Sequence, residues 1–389
     1  MRTSESHTAP ALQLRAGDTV EVRAKSEILA TLDTTGRRDA LPFMPEMLQY
    51  CGKRFTVYKR AHKFCDTVGK GGSRRIENAV YLEGVRCDGT GHGGCQAGCL
   101  IFWKEAWLKR VEAPAATHGV VTTCQSVAIA QVAQDETDAC SEDVVVRAAR
   151  CEIDGTNLDG EVFSCQATEL PKASVPLAWW NMRQYAEDIG YGNIGLSDLV
   201  RGMMTASFNM IIRGVRRCIE SIRPRVALHA VDPAEAFDEG SSSSSIRQHR
   251  SARDAVVSQI RAALNNLLVE YPHIRGELHK TPSTLLNLEP GELVEIKSKT
   301  EIVETLDIRN RNRGLSFDVE MVPYCGRKYR VLRRVDKILD EKTGRMLKLP
   351  NSCIILDGVV CRGCLSRNRL FCPRSIYSYW HEVWLRRPD

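Results

Sequence analysis

The stretch EMLQYCGKRFTVYKR, residues 46–60, returns in altered form as EMVPYCGRKYRVLRR at 320–334. Working outward from it, residues 14–66 align without a gap to 288–340 at a constant offset of 274, with 22 identities in 53 positions. Random pairing gives about 3 at ordinary residue frequencies, so the chain carries an internal duplication. The identities include Gly17/Gly291, Lys25/Lys299, Glu27/Glu301, Phe43/Phe317, Glu46-Met47/Glu320-Met321 and Tyr50-Cys51-Gly52/Tyr324-Cys325-Gly326. Further on, LEGVRCDG (82–89) answers LDGVVCRG (356–363) at the same offset, and CLIFWKEAWLKR (99–110) answers IYSYWHEVWLRR (376–387) at 277.

Two repeats of about 100 residues, a common domain size, therefore flank an unrelated middle. The expected organisation is a disordered tail over 1–13, a first repeat over 14–112, a middle domain over 113–287 and a second repeat over 288–389. Charge separates the same parts. Lys/Arg against Asp/Glu number 17 to 12 in the first repeat, 20 to 14 in the second and 16 to 21 in the middle. The middle reads as strand-like to about Val175 and helical beyond it, with a flexible Ser-rich linker at 240–245. An amphipathic helix follows, with Val256, Ile260, Ala263, Leu264, Leu267 and Tyr271 near one face.

Within each repeat the pattern is mostly β. DTVEVRA and ELVEIKS alternate apolar and polar residues, and SEILATLD or TEIVETLD has helical spacing opened by Ser26 or Thr300. A hairpin follows, and WKEAWLKR or WHEVWLRR reads as a closing helix with tryptophans at i, i+4. The expected fold class is α+β: two small SH3-like β-barrel repeats, each with a C-terminal helix, flanking a mixed, partly helical middle domain.

The chain has 389 residues, 43% of them hydrophobic and 26% charged, and no apolar run of the roughly 20 residues that a membrane span needs. Its first residues lack the apolar core and cleavage site of a secretory signal, which makes the cytoplasm the expected compartment. Fifteen cysteines then point to metal or redox chemistry rather than disulfides. Cys51 and Cys325, each before a glycine at a strand entry, fit packing. Four remain in each repeat: Cys65, Cys87, Cys95 and Cys99, with His92 between them, and Cys353, Cys361, Cys364 and Cys372.

Four thiolates per module suit a tetrahedral site, and Cys361-x2-Cys364 has the pitch that lets two sulfurs grip one ion. Zinc is the expected metal. The closely spaced run of a ferredoxin is absent, which leaves an iron-sulfur cluster as the alternative. The middle set, Cys124, Cys140, Cys151 and Cys165, lies at wide spacings, and a third site there stays open. On the two repeated strands, alternation puts Arg54 and Arg60, and Lys328, Arg330 and Arg334, on one face as candidate anion contacts. That strip fits nucleic acid, another anionic macromolecule or the acidic middle of the same chain.

Enzyme signatures are poor. GKGGS (69–73) sits in a hairpin turn and lacks the ending of a phosphate-binding loop. His62 and Cys65 could pair as a thiolate site, yet the second copy has Asp336 and Leu339 there. Through Tyr50-Cys51-Gly52 with Trp103 to Leu108, and Pro323 to Gly326 with Trp380 to Leu385, the chain resembles a group of uncharacterised bacterial proteins that share PYCG and YWxEiWL-type phrases in two copies. The resemblance covers both repeats and the middle, and it transfers no activity. The expected function is a metal-stabilised binding or scaffolding protein with a protein or anionic macromolecule as partner. The alternative is a metalloenzyme or iron-sulfur redox accessory protein in a biosynthetic pathway.

Overall fold

The computed structural model describes residues 11–69, 71–111, 140–151, 161–207, 274–365 and 369–388. Residues 1–196 and 274–389 form one compact unit, and 197–273 form a second, of which 197–207 are described and helical. The amphipathic stretch 251–271, the Ser-rich linker and Cys124 lie outside the described residues. No helix among the described residues is long and apolar enough to cross a membrane.

Each repeat builds a five-stranded antiparallel sheet. In the first the strand order is Trp103–Lys104, Ala79–Leu82, Arg54–Arg60, Thr19–Val22, Leu108–Arg110. In the second it is Tyr377–Trp380, Met346–Val360, Lys328–Leu339, Leu293–Ile296, Leu385–Arg386. Register repeats with order. Val20 pairs with Phe55 as Val294 pairs with Tyr329, Val57 with Leu82 as Val331 with Leu356, and Val80 with Trp103 as Ile354 with Trp380. The alternating residues Val20 and Val22, and Val294 and Ile296, are all fully buried, as half-buried strands require.

Two expectations about the repeats are corrected. Among the described residues the edge strands of each sheet, such as Trp103–Lys104 and Leu108–Arg110, flank a short turn and are not paired with each other, so the closed SH3-like barrel expected is not found. The closing helix is also absent. In its place stand a strand, a single 3-10 turn (Glu105–Trp107 or Glu382–Trp384) and another strand. Eight residues are too few for a helix to hold itself together, and here tertiary contacts decide. Trp103 and Trp107 are fully buried and meet Phe43 edge-on at centroid distances of 6.3 and 5.2 Å. Trp380 and Trp384 meet Phe317 at 6.3 and 5.6 Å.

The short helices after the first strands do form, as Lys25–Leu29 and Lys299–Val303. The second is capped by Ser298, whose hydroxyl accepts the Glu301 N–H while the Glu301 carboxylate accepts the Ser298 N–H, a reciprocal capping box. The cap therefore lies two residues before the expected Thr300. The middle supplies the helices Glu142–Ala148, Gln166–Glu169 and Arg183–Gly190. Its strand Val175–Leu177 extends the first repeat's hairpin, Lys63–Cys65 with Ser73–Arg75. Val162 bridges Arg345, and the Phe163 N–H reaches the Gly344 carbonyl at 2.8 Å in the second repeat's hairpin. One stretch of middle thus pairs with both hairpins. The first repeat's core accordingly runs on into Leu339 and Cys372 of the second.

Candidate metal centre

The loop between Arg86 and Leu100, which bridge each other, folds two donors, Cys87 and His92, onto one spot. The Cys87 N–H is held by the Cys99 carbonyl at 2.8 Å, and the Gly89 carbonyl accepts the His92 and Gly94 N–H groups at 3.1 and 2.8 Å. Gly89 has φ +78°, and a Cβ there would lie 2.1 Å from the Cys95 carbonyl oxygen. Only glycine permits both the turn and that approach. Its counterpart Gly363 has φ +62°, with the Cys372 nitrogen 2.7 Å from a built Cβ.

Facing this loop is the 3-10 helix Pro45–Tyr50, which carries Glu46. Glu46, Cys87 and His92 present one ligand atom each, all within 4.8 Å of one another. Cys87 Sγ lies 3.3 Å from Glu46 Oε1 and 3.6 Å from His92 Nε2, and His92 Nδ1 lies 3.4 Å from Glu46 Oε1. Bonds of about 2.0–2.3 Å at tetrahedral angles separate ligand atoms by about 3.3–3.8 Å; the Cys87 Sγ distances to Glu46 Oε1 and His92 Nε2 fall in that range, while the 3.4 Å contact of Glu46 is to the other ring nitrogen of His92. Glu46 Oε2 and His92 Nδ1 are buried without a hydrogen-bond partner. Such orphan atoms cost free energy unless something satisfies them. With Nε2 on an ion and Nδ1 facing Glu46, the arrangement matches the carboxylate-oriented histidines of metal sites.

Cys95, Cys99 and Cys165 line the same cavity as these three residues, and its volume is about 40 Å³. That space suits an ion and falls far short of a metabolite pocket. Burial sets the proton affinities. It pushes Cys99 up to about 11, and it pushes Cys87, which also faces the Glu46 charge, and Cys165 well above the ordinary thiol value. Cys95 differs: burial works against its thiolate, but His92 and the Ala97 and Leu339 N–H groups outweigh it and lower the pKa. His92 rises to about 9, since Cys95 and Glu46 overcome the burial penalty. Nitrogen, oxygen and sulfur donors in this mixture suit zinc.

The structure regroups the expected ligand sets. Of Cys65, Cys87, Cys95 and Cys99, the last three share the cavity; Cys165 of the middle joins them, and Cys65 lies elsewhere. Cys65 instead meets Cys372, whose sulfur accepts the Cys65 N–H at 3.2 Å. Cys353 is packed with Val335 and Ile355, and Cys364 is exposed. Among the described residues, Cys353, Cys361, Cys364 and Cys372 form no cluster of three metal ligands. The counterpart of Glu46, Glu320, is engaged by the Cys364 and Leu365 N–H groups at 3.1 and 2.7 Å. The sequence signal for Glu46 is its identity in both copies, as Glu46 and Glu320; the structure buries both. Cys140 is buried near the helix Glu142–Ala148 and does not belong to the cluster, and the Cys151 side chain lies outside the described residues.

The basic strip is also rearranged. Arg60 is buried against Glu105, whose carboxylate further accepts the Leu14 and Gln13 N–H groups at 2.8 and 3.2 Å. Arg334 repeats this with Glu382, which accepts the Leu286, Asn287 and Leu288 N–H groups. These arginines tie down the chain entering each repeat and are not surface anion contacts. Arg54 is exposed and pairs with Glu21 at 3.2 Å; Arg330 donates to the Gly291 carbonyl at 2.9 Å; Lys328 is exposed. His62 does not face Cys65; it lies 3.3 Å from Asp188 and 3.2 Å from the Gln184 carbonyl.

No protein-family model, no curated protein and no solved structure matches this chain.

Proposed function

We propose that the chain is a metal-stabilised binding or scaffolding protein of the cytoplasm, with zinc held by Cys87 and His92 together with cysteines from Cys95, Cys99 and Cys165. The observation that supports this reading is the Glu46–Cys87–His92 cluster, in which one ligand atom of each residue lies within 4.8 Å of the others, with Glu46 and His92 buried and Cys87 half-buried. The residues around it come from separate segments: Glu46 from the 3-10 helix Pro45–Tyr50, Cys87 and His92 from the loop 86–99, and Cys165, which lines the same cavity, from the middle. Leu339 of the second repeat closes the same cavity. An ion there would staple these pieces, adding binding free energy to folding.

Burial favours a structural role over a catalytic one. Glu46 and His92 are 6% and 2% exposed, whereas a catalytic metal keeps a position open to substrate. The partner is a protein or an anionic macromolecule, and the surface that would meet it is narrower than the sequence suggests, since Arg60 and Arg334 are consumed internally.

The test is metal analysis of the purified chain and of Cys87→Ser and His92→Ala. About one zinc per chain is expected in the wild type, with loss in both variants and a lower unfolding temperature after chelation. Unchanged metal content in both variants would overturn the reading. A brown anaerobic preparation absorbing near about 400 nm would replace zinc with an iron-sulfur cluster.

A further inference from the structure

The contact between the two repeats is unequal in sulfur. Cys95 Sγ accepts the Leu339 N–H at 3.2 Å, and Cys372 Sγ accepts the Cys65 N–H at the same distance. Cys95 aligns with Cys372, and Leu339 with Cys65, so the two contacts are copies of one geometry. In one copy the sulfur rests on a leucine; in the other it rests on a second cysteine. Cys65 ends the strand Lys63–Cys65, whose register with Ser73–Arg75 fixes its backbone. Cys372 is held through its own N–H on the Arg369 carbonyl at 2.9 Å. Two thiols 307 positions apart in the chain thus meet across the repeats.

Both are buried, at 3% and 5% exposure, and neither lines the metal cavity. Their settings differ. A hydrogen bond from the Cys372 thiol lowers the pKa of Cys65; burial opposes it, and the Arg374 and Arg369 guanidinium groups add to it. The same hydrogen bond, with burial, raises Cys372. One sulfur is therefore disposed to attack as a thiolate, and the other to keep its proton. Arg374 is itself buried and anchored on Thr67 Oγ1 at 2.8 Å and Glu341 Oε1 at 2.7 Å, which keeps that guanidinium in place.

We propose that Cys65 and Cys372 form a redox pair that a hydroperoxide converts to a disulfide, locking the first repeat's hairpin to the second repeat's loop. The Cys65 thiolate attacks one peroxide oxygen, the O–O bond breaks, hydroxide leaves, and Cys65 becomes a sulfenic acid. The Cys372 sulfur then attacks the Cys65 sulfur; the S–O bond breaks, and the hydroxyl departs as water with the Cys372 proton. Two thiols and one hydrogen peroxide give one disulfide and two waters, the sulfurs losing the two electrons that the peroxide gains. A reducing compartment holds the pair as thiols, and burial restricts attack to a small oxidant such as hydrogen peroxide. The metal centre takes no part, so either reading can fail without the other.

The experiment treats the full chain with hydrogen peroxide, blocks the remaining thiols and maps disulfides in the digest by mass spectrometry. A Cys65–Cys372 cross-link that dithiothreitol reverses is expected, together with a higher urea midpoint for the oxidised chain. In Cys372→Ser, dimedone should trap at Cys65 a sulfenic acid that the wild type does not accumulate. Absence of a cross-link between these two residues, a urea midpoint that oxidation leaves unchanged, or absence of the dimedone adduct at Cys65 in Cys372→Ser would overturn the proposal.

Discussion

Cys372 Sγ accepts the backbone N–H of Cys65 at 3.2 Å, and Cys95 Sγ accepts that of Leu339, also at 3.2 Å. Cys95 aligns with Cys372, and Cys65 with Leu339, so each repeat offers a sulfur to the same strand position of the other. Thr67 and Glu341, again aligned, are bonded to each other, and buried Arg374 donates to both at 2.8 and 2.7 Å. The repeats are therefore related by an approximate two-fold through this contact. Such isologous pairing is the geometry of a homodimer, here written into one chain.

Removing one sulfur leaves a buried N–H unanswered, which costs about 1–3 kcal/mol. Cys372→Ala is thus expected to lower stability by that order in urea unfolding, and Cys372→Ser, which keeps an acceptor, by less. Equal losses in the two variants would show that packing, not the sulfur acceptor, matters at this position.

The paired carboxylates predict a ranking. Arg60 and Glu105 have side chains 6% and 2% exposed, whereas Arg334 is 28% exposed against Glu382. Breaking a buried pair strands a charge at a cost of about 3–5 kcal/mol; a partly solvated arginine leaves water to help its partner. Arg60→Met should therefore destabilise more than Arg334→Met in chemical denaturation, and Arg60→Met/Glu105→Leu should recover part of the loss.

These pairs show what could be read in advance and what could not. Arg60, Glu105 and Leu14 recur as Arg334, Glu382 and Leu288, so the duplication and the first strands of each repeat are legible in the sequence, whereas the tryptophan segments read as helices and form strand, turn and strand. The role of the arginines is not legible, because strand alternation gives the face of a side chain and not the carboxylate that a distant segment brings to it. For the same reason counting cysteines within the first repeat groups Cys65 with Cys87, Cys95 and Cys99, whereas the cavity is lined by the last three and by Cys165 of the middle. Donor counting within a repeat cannot see that the middle pairs with both hairpins.

Acid sensitivity should concentrate in the cluster under the helix Arg183–Gly190. Lys63 Nζ lies 2.5 Å from Asp188 Oδ2, and His62 Nε2 lies 3.3 Å from Oδ1. Burial, reinforced by Lys63, lowers His62 to about 4, while burial raises Asp188 to about 6 despite Lys63. For His62 the unfolded chain binds the proton more readily, so stability is lost as pH falls from about 6.5 toward 4. For Asp188 the folded chain binds it more readily, so stability is gained as pH falls from about 6 toward 4. The two contributions oppose, and the wild type should change little through that window from this cluster. Asp188→Asn removes the gain, and urea midpoints measured across pH 4–7 should then fall more steeply toward acid than in wild type. A parallel pair of profiles would refute the assignment.

Within each repeat the two tryptophans make a matched comparison. Trp107 Nε1 donates to Thr31 Oγ1 at 3.2 Å and Trp384 Nε1 to Thr305 Oγ1 at 2.9 Å, whereas Trp103 and Trp380 bury Nε1 with no partner. All four are fully buried, so replacement by phenylalanine removes similar apolar volume at each. The polar terms have opposite signs. Trp103→Phe and Trp380→Phe relieve an unsatisfied donor, while Trp107→Phe and Trp384→Phe discard a hydrogen bond and leave a threonine hydroxyl behind, a difference of about 1–2 kcal/mol. Unfolding measurements should therefore rank Trp107→Phe below Trp103→Phe in stability, and Trp384→Phe below Trp380→Phe. The reverse order in both repeats would mean that the volume lost at each site, and not the indole nitrogen, governs the cost.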